Sequence, residues 1–181
     1  MSWAIDLLKN FTADGVEYRW QKEPDRESFR RIMFESFLFC YRDLTQADLQ
    51  IDTDKKTWLS SCFSDEFLDQ LKLPNSPYRL LAALKESAPV GYALFDLSLY
   101  PHQVYLSELA VDLRFQGKGI GKQLVFAPLQ SLPDTKKIVL ITRKANAQAK
   151  AFYKAIGFSP SSFIEKGYSP DLYTGYEYSR K

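Results

Sequence analysis

The chain has 181 residues, 45% of them hydrophobic and 25% charged, with a formal net charge of +2 and two cysteines. This balance excludes a disordered or fibrous design, a run of apolar residues long enough to span a membrane, and a strongly basic nucleic-acid binder, while the length suits a single domain. The near-neutral total hides an asymmetry of about 12 basic and 17 acidic residues up to Val111 and about 12 and 5 beyond it, so the C-terminal part is the one suited to an anion.

Met1 to Phe11 lacks the basic start and long apolar run of a signal peptide. Cys40 and Cys62 read as reduced core thiols, and a cytoplasmic location is expected. Val16 to Gln21 alternates as a strand. Pro24 and Asp25 open a helix whose Phe29, Ile32, Met33, Phe37 and Leu38 keep helical spacing. Thr45 to about Leu73, with Trp58, Phe63, Phe67 and Leu71, fits one or two further helices closed by the run from Pro74 to Pro77. Its acidic residues Asp43, Asp48, Asp52, Asp54, Asp65, Glu66 and Asp69 form either a solvated face or a lure for a cationic substrate.

Tyr78 to Lys85 and Val90 to Leu97 read as a hairpin joined by Glu86 to Pro89, and Val104 to Val111 as the next strand. His102, between them, is expected to be a surface bystander. Ile120 to about Leu132 has helical periodicity, with Pro128 expected to kink or shorten it. Ile138 to Thr142 is apolar and β-branched, hence a buried strand. Asn146 can cap a helix from Ala147 to Ile156, and Gly157 stands where a left-handed residue ends it. Phe158 to Phe163 and Leu172 to Tyr178 supply two last strands.

The stretch Gln116, Gly117, Lys118, Gly119, Ile120, Gly121 falls between a strand and a helix. Glycines there let backbone approach a phosphate, and the unpaired N–H groups of the first helical turn, backed by the helix dipole, point at an anion. Lys122 adds charge beside Lys118, and Arg114 stands nearby. The glycine spacing and the antiparallel meander before it disfavour a dinucleotide site of the Rossmann type.

These features resemble the GNAT superfamily of N-acetyltransferases, strongly over residues 104–158, weakly before Tyr78, and in order of elements over nearly the full chain. Its central motif is a strand, then Gln or Arg followed by x-x-Gly-x-Gly, then a helix. A second strand, Asn146, and a helix carrying Phe152 and Tyr153 before Gly157 and Phe158 are similar to its next motif. The resemblance implies an α/β (α+β) fold, a mixed, largely antiparallel twisted sheet of six to seven strands flanked by about four helices. It implies one N-acetyltransferase domain with an N-terminal extension (1–14), an acyl-CoA-binding core (104–158) and an acceptor side (24–73 and 159–181).

It further implies that acetyl-CoA is the acyl donor and that Leu109, Ala110 and Val111 pair with its pantetheine arm as if with another strand. Gln116, Gly117, Lys118, Gly119, Ile120, Gly121 and Lys122 hold the pyrophosphate, Asn146 contacts the cofactor, and Tyr153 faces its sulfur as general acid. An N–H near Val111 is the implied oxyanion donor.

The general base is open. Glu108, an acid in an otherwise apolar strand, is the candidate, because burial raises a carboxyl toward neutrality. Strict alternation, however, puts Tyr105, Ser107, Leu109 and Val111 on the opposite face from it. Some relatives carry a Glu five residues before the Asn, where this chain has Ile141.

The aromatic set Phe37, Phe39, Tyr41, Tyr168, Tyr173 and Tyr176 is expected partly in the core and partly at the acceptor, which would be a small cationic amine, a polyamine, or a protein or peptide amine. No metal, nucleic acid or membrane is expected, and either a monomer or a homodimer is compatible. The competing reading is an acyl-CoA-binding or interaction module with weak catalysis or none.

Overall fold

The structure, a computed structural model, describes residues 8–180, the side chains at 66 and 67 excepted. The first seven residues of the expected extension, and residue 181, lie outside the described residues. Strands β1 (Phe11–Ala13) and β2 (Val16–Gln21) form a hairpin through Asp14 and Gly15, both at positive φ, so part of the expected extension is an edge strand. An Asp-Gly pair is the sequence signal for such a turn.

Helix α1 (Arg26–Cys40) follows, and its apolar spacing buries Phe29, Ile32 and Met33 completely. Each contributes about 1.5–3 kcal/mol relative to exposure. Lys55 Nζ donates to the carbonyls of Tyr41 and Leu44 just past its end, at 2.9 and 2.7 Å.

Where one or two helices are expected there are three, α2 (Gln46–Leu49), α3 (Lys55–Cys62) and α4 (Asp65–Lys72). Local capping divides them. Thr45 and Asp48 form a capping box, Gln50 turns left-handed at φ 48°, and Asp54 accepts from the N–H groups of Lys56 and Thr57.

Strands β3 (Tyr78–Lys85) and β4 (Ala88–Asp96) are joined by Glu86 and Ser87 alone, both at positive φ, a two-residue connection in place of the expected four. Then come β5 (Val104–Val111), a 3-10 turn (Leu113–Phe115), α5 (Ile120–Ser131), β6 (Lys137–Arg143), α6 (Ala147–Ala155), β7 (Ser159–Ser161) and β8 (Tyr173–Ser179). Helix α5 runs through Pro128 without ending there.

The sheet order is β1-β2-β3-β4-β5-β6-β8-β7, and every neighbouring pair is antiparallel except β5 with β6. The fold is therefore the expected mixed, largely antiparallel sheet. The described residues carry eight strands and six α-helices, more than the six to seven and about four expected. Alternation along β3 and β4 sends Leu81, Ala83, Ala93 and Phe95 to the face covered by α5, and Leu80, Ala82, Tyr92 and Leu94 to the face covered by α1 and α4.

Candidate active site

The site begins with an irregularity in β5. Leu94 pairs with Glu108 but Phe95 with Leu106, which leaves Ser107 as one extra residue, a β-bulge. Parity changes across it. Leu106 and Val111 lie in the core under α5, whereas Ala110 packs on the α1 face together with Leu94, the partner of Glu108. The bulge thus breaks the strict alternation expected of this strand at one point, for it brings Tyr105 to the same face as Glu108, while Leu109 and Val111 stay opposite as expected.

The same point marks where β5 and β6 part. Their parallel ladder comprises Val104, Tyr105 and Leu106 against Ile138, Val139 and Leu140, and then stops. Beyond it one edge of β5 has no strand among the described residues. Because the Asp112 N–H bonds the Val90 carbonyl at 2.9 Å, the register directs Ala110 and Glu108 backbone groups toward β4, and those of Leu109 and Val111 the other way, into the gap. The Val111 carbonyl is met there by Gln116 Nε2 at 3.1 Å. Of the three residues expected to offer main-chain groups on this edge, Leu109 and Val111 do so and Ala110 is turned to the sheet.

Gln116 is extended, Gly117 and Gly119 have φ of 75° and 81°, and α5 starts at Ile120. A Cβ at either glycine would meet nothing within 4 Å, so these glycines are required by the backbone turn and leave open space above it. At Gly121 a Cβ would approach the Phe152 ring to 3.3 Å, so this glycine serves the packing of α5 on α6. Lys122 lines the cleft and Lys118 Nζ sits 4.8 Å from the Phe115 ring centroid. Arg114 is engaged elsewhere, because its guanidinium binds the buried Asp112 at 3.0 and 2.7 Å and Arg31 adds a third contact at 3.1 Å. Those partners hold the Asp112 carboxyl far below the usual range.

From this turn a cavity of about 560 Å³ runs without interruption to the α1 and α3 side, and Glu108, Tyr153 and Asn146 all line it. Glu108 is half-buried and makes no hydrogen bond or ion pair among the described residues; desolvation pushes its carboxyl up to about 8. Tyr153 has 8% of its surface exposed, and its ring packs on Phe152 and Phe158 at 5.2 and 5.6 Å between centroids. Burial, with Glu108, Cys40 and Tyr41 nearby, raises its phenol, so it stays protonated through neutral pH. Asn146 caps α6 by accepting from the Ala149 N–H at 2.9 Å.

The other expectations separate. Tyr41, Phe37, Tyr168 and Tyr173 line the cavity, Tyr176 is core, and Phe39 stacks under Arg42 away from it. Both thiols are free and both line the cavity; Cys40 is half-buried against the Tyr41, Leu49 and Leu59 cluster, whereas Cys62 is exposed and is not the core thiol expected. Five acids of the 43–69 block serve local structure: Asp65 and Asp69 bind Arg26, Asp43 pairs with Arg42, and Asp48 and Asp54 cap helices. None lines the cavity. His102 is exposed.

Arg143, Trp58 and Tyr105 also line the cavity and are not among the site residues expected from the sequence. The signal for Arg143 was its place two residues beyond Ile141 on the same strand face.

A family model described as the acetyltransferase (GNAT) family matches residues 27–158. A spermine/spermidine N(1)-acetyltransferase of Bacillus subtilis (strain 168) is 30% identical over 92 residues; the match takes in 45% of this chain and 59% of that protein, so the chain spans less than two thirds of this relative. Among solved structures, the PaiA N-acetyltransferase from Thermoplasma acidophilum in complex with coenzyme A superposes with a TM-score of 0.70 at 17% identity, over 90% of this chain and 99% of that one. An acetyltransferase from Thermus thermophilus does so with 0.65 at 20% identity, over 91% and 97%.

Proposed function

Since the chain belongs to the acetyltransferase (GNAT) family, we propose that it transfers an acetyl group from acetyl-CoA to a primary amine. One observation carries the reading. The unpaired edge of β5, the glycine turn and the Glu108 and Tyr153 side chains share one continuous cavity. The coenzyme A in the Thermoplasma structure and the amine substrates named for the Bacillus relative support the choice of donor and of acceptor class.

The residues fit such a donor. Leu109 and Val111 offer main-chain groups to an extended arm, and the open backbone at Gly117 and Gly119 with the N–H groups opening α5 suits a diphosphate. Acetyl-CoA, when bound, supplies the acyl group as a thioester. Glu108, once ionised, takes the proton that the attacking nitrogen must lose. The Val111 N–H meets the negative charge that develops on the carbonyl oxygen, and Tyr153 donates to the departing sulfur.

Calorimetry with acetyl-CoA followed by thiol release over an amine panel tests the assignment. Binding without any thiol release would favour the non-catalytic module, and absence of both would sink the transferase reading.

The Gly119→Ala variant is expected to bind CoA about tenfold more weakly, since a side chain at positive φ costs about 1–2 kcal/mol and disturbs the turn. An unchanged dissociation constant removes the turn from the donor site.

Glu108 gives a pH prediction. A base held near 8 makes kcat/KM rise with pH up to about that value, and Glu108→Gln should abolish this limb while leaving that of the amine itself. The sign for stability is opposite. The folded carboxyl keeps its proton while the unfolded one ionises, so stability falls as pH rises from about 4.5 to about 8. Glu108→Gln should therefore melt progressively above the parent across that window. Parallel melting curves, or an unaltered rate profile, would remove the assignment.

A further inference from the structure

The acceptor end of the cavity holds a second charge, of the opposite sign. Arg143, the last residue of β6, has 8% of its surface exposed, yet no carboxylate pairs with it among the described residues. Its guanidinium lies over the rings of Trp58 and Tyr173, 4.7 and 5.2 Å from their centroids, and Nη1 donates to the Leu49 carbonyl. Nε is buried without a partner. A buried cation left in this condition is costly, and one clamped flat by aromatic faces is pre-organised to receive a planar anion.

Glu108 and Arg143 face the same space without pairing. Tyr41, Cys62 and Tyr173 feel the charge of each, and all three line the cavity. Burial alone shifts the Glu108 carboxyl, and no ion pair joins it to Arg143. Of the acidic block that would have drawn a polycation, Asp43, Asp65 and Asp69 are engaged by Arg26, Arg30 and Arg42, and no described member lines the cavity. A doubly cationic substrate would set one ammonium toward Glu108 and press its remainder against Arg143. An amine carrying a carboxylate answers both charges.

We propose that the acceptor is an aminocarboxylate, its amine beside Glu108 and its carboxylate held by Arg143, an inference that rests on the transferase reading above. The specificity would come from Arg143, and the chemistry from the residues already described.

The test uses pairs of amines that differ only in the carboxylate: ornithine against 1,4-diaminobutane, lysine against 1,5-diaminopentane, and 4-aminobutanoate against propylamine. With the parent protein the acids are expected to have the higher kcat/KM. In Arg143→Gln the preference should shrink on the order of 100-fold, chiefly through KM for the acids, because a charge-assisted bidentate contact is lost. Arg143→Lys, which keeps the charge and loses the planar fork, should lie between and supplies the comparison if Arg143→Gln does not fold.

Preference of the parent for the diamines, or an acid-to-amine ratio unmoved in a folded variant, overturns the inference and leaves acetyl transfer standing. No thiol release with any of the six amines or any wider amine panel, with acetyl-CoA bound, overturns both.

Discussion

Replacing Tyr153 by Phe is expected to lower turnover about 100-fold or more, the usual worth of a positioned proton donor, with little change in acetyl-CoA affinity or melting temperature. The hydroxyl makes no hydrogen bond among the described residues, and the ring is held by Phe152, Phe158 and Tyr176, contacts that phenylalanine keeps. Loss of a hydroxyl that bonds no described group leaves no partner unsatisfied, so stability should change little. The phenol remains protonated at neutral pH because burial and the nearby Glu108 both oppose its ionisation. Stopped-flow measurement of thiol appearance at saturating amine is the appropriate readout. A variant that turns over normally would return Tyr153 to the role of a packing residue.

The second large effect concerns stability. Gly175 lies in β8 between β6 and β7, and a Cβ built there would come within 2.1 Å of the Phe163 carbonyl oxygen and 2.8 Å of that of Ser161. Both obstacles are backbone, so no rotamer change relieves them. Gly175→Ala should therefore cost about 3 kcal/mol or more, at the upper end of overpacking, and lower the melting temperature by roughly 10 °C. The crossing segment also carries Phe163 against Tyr105, with ring centroids 5.4 Å apart, at the cavity wall. Amine saturation is thus expected to weaken in the variant more than acetyl-CoA binding does. A melting curve that overlays the parent would mean that the segment at 161–163 moves freely.

Much of this was legible in the residues. The strand from Val104 to Val111 and the helix from Arg26 to Cys40 follow from apolar spacing. The Asn146 cap and the left-handed Gly157 were readable as local chemistry, since both depend on one residue type at one backbone position. The bulge was not. Ser107 is unremarkable in sequence, and an extra residue shows only when its neighbour's register is known. For the same reason counting along the strand places Glu108 opposite Leu109 and Val111 correctly but puts Tyr105 on the wrong face. Arg143 was overlooked because its meaning lies in what is missing around it: a basic side chain at a strand end is ordinary until burial and the lack of an acid are seen together. The acidic block misled in the opposite way, for its charge density is plain in sequence and its internal use by caps and arginines is not.

The surplus residue at Ser107 has one more consequence. Downstream of it β5 retains an edge of unspent hydrogen-bonding capacity, the kind of feature that invites strand addition by a second molecule and ends in aggregation. Here the edge opens into the cavity that Phe37 and Cys40 of α1, Trp58 of α3 and Phe152 of α6 also line. An extended chain that pairs with the edge must therefore enter that cavity.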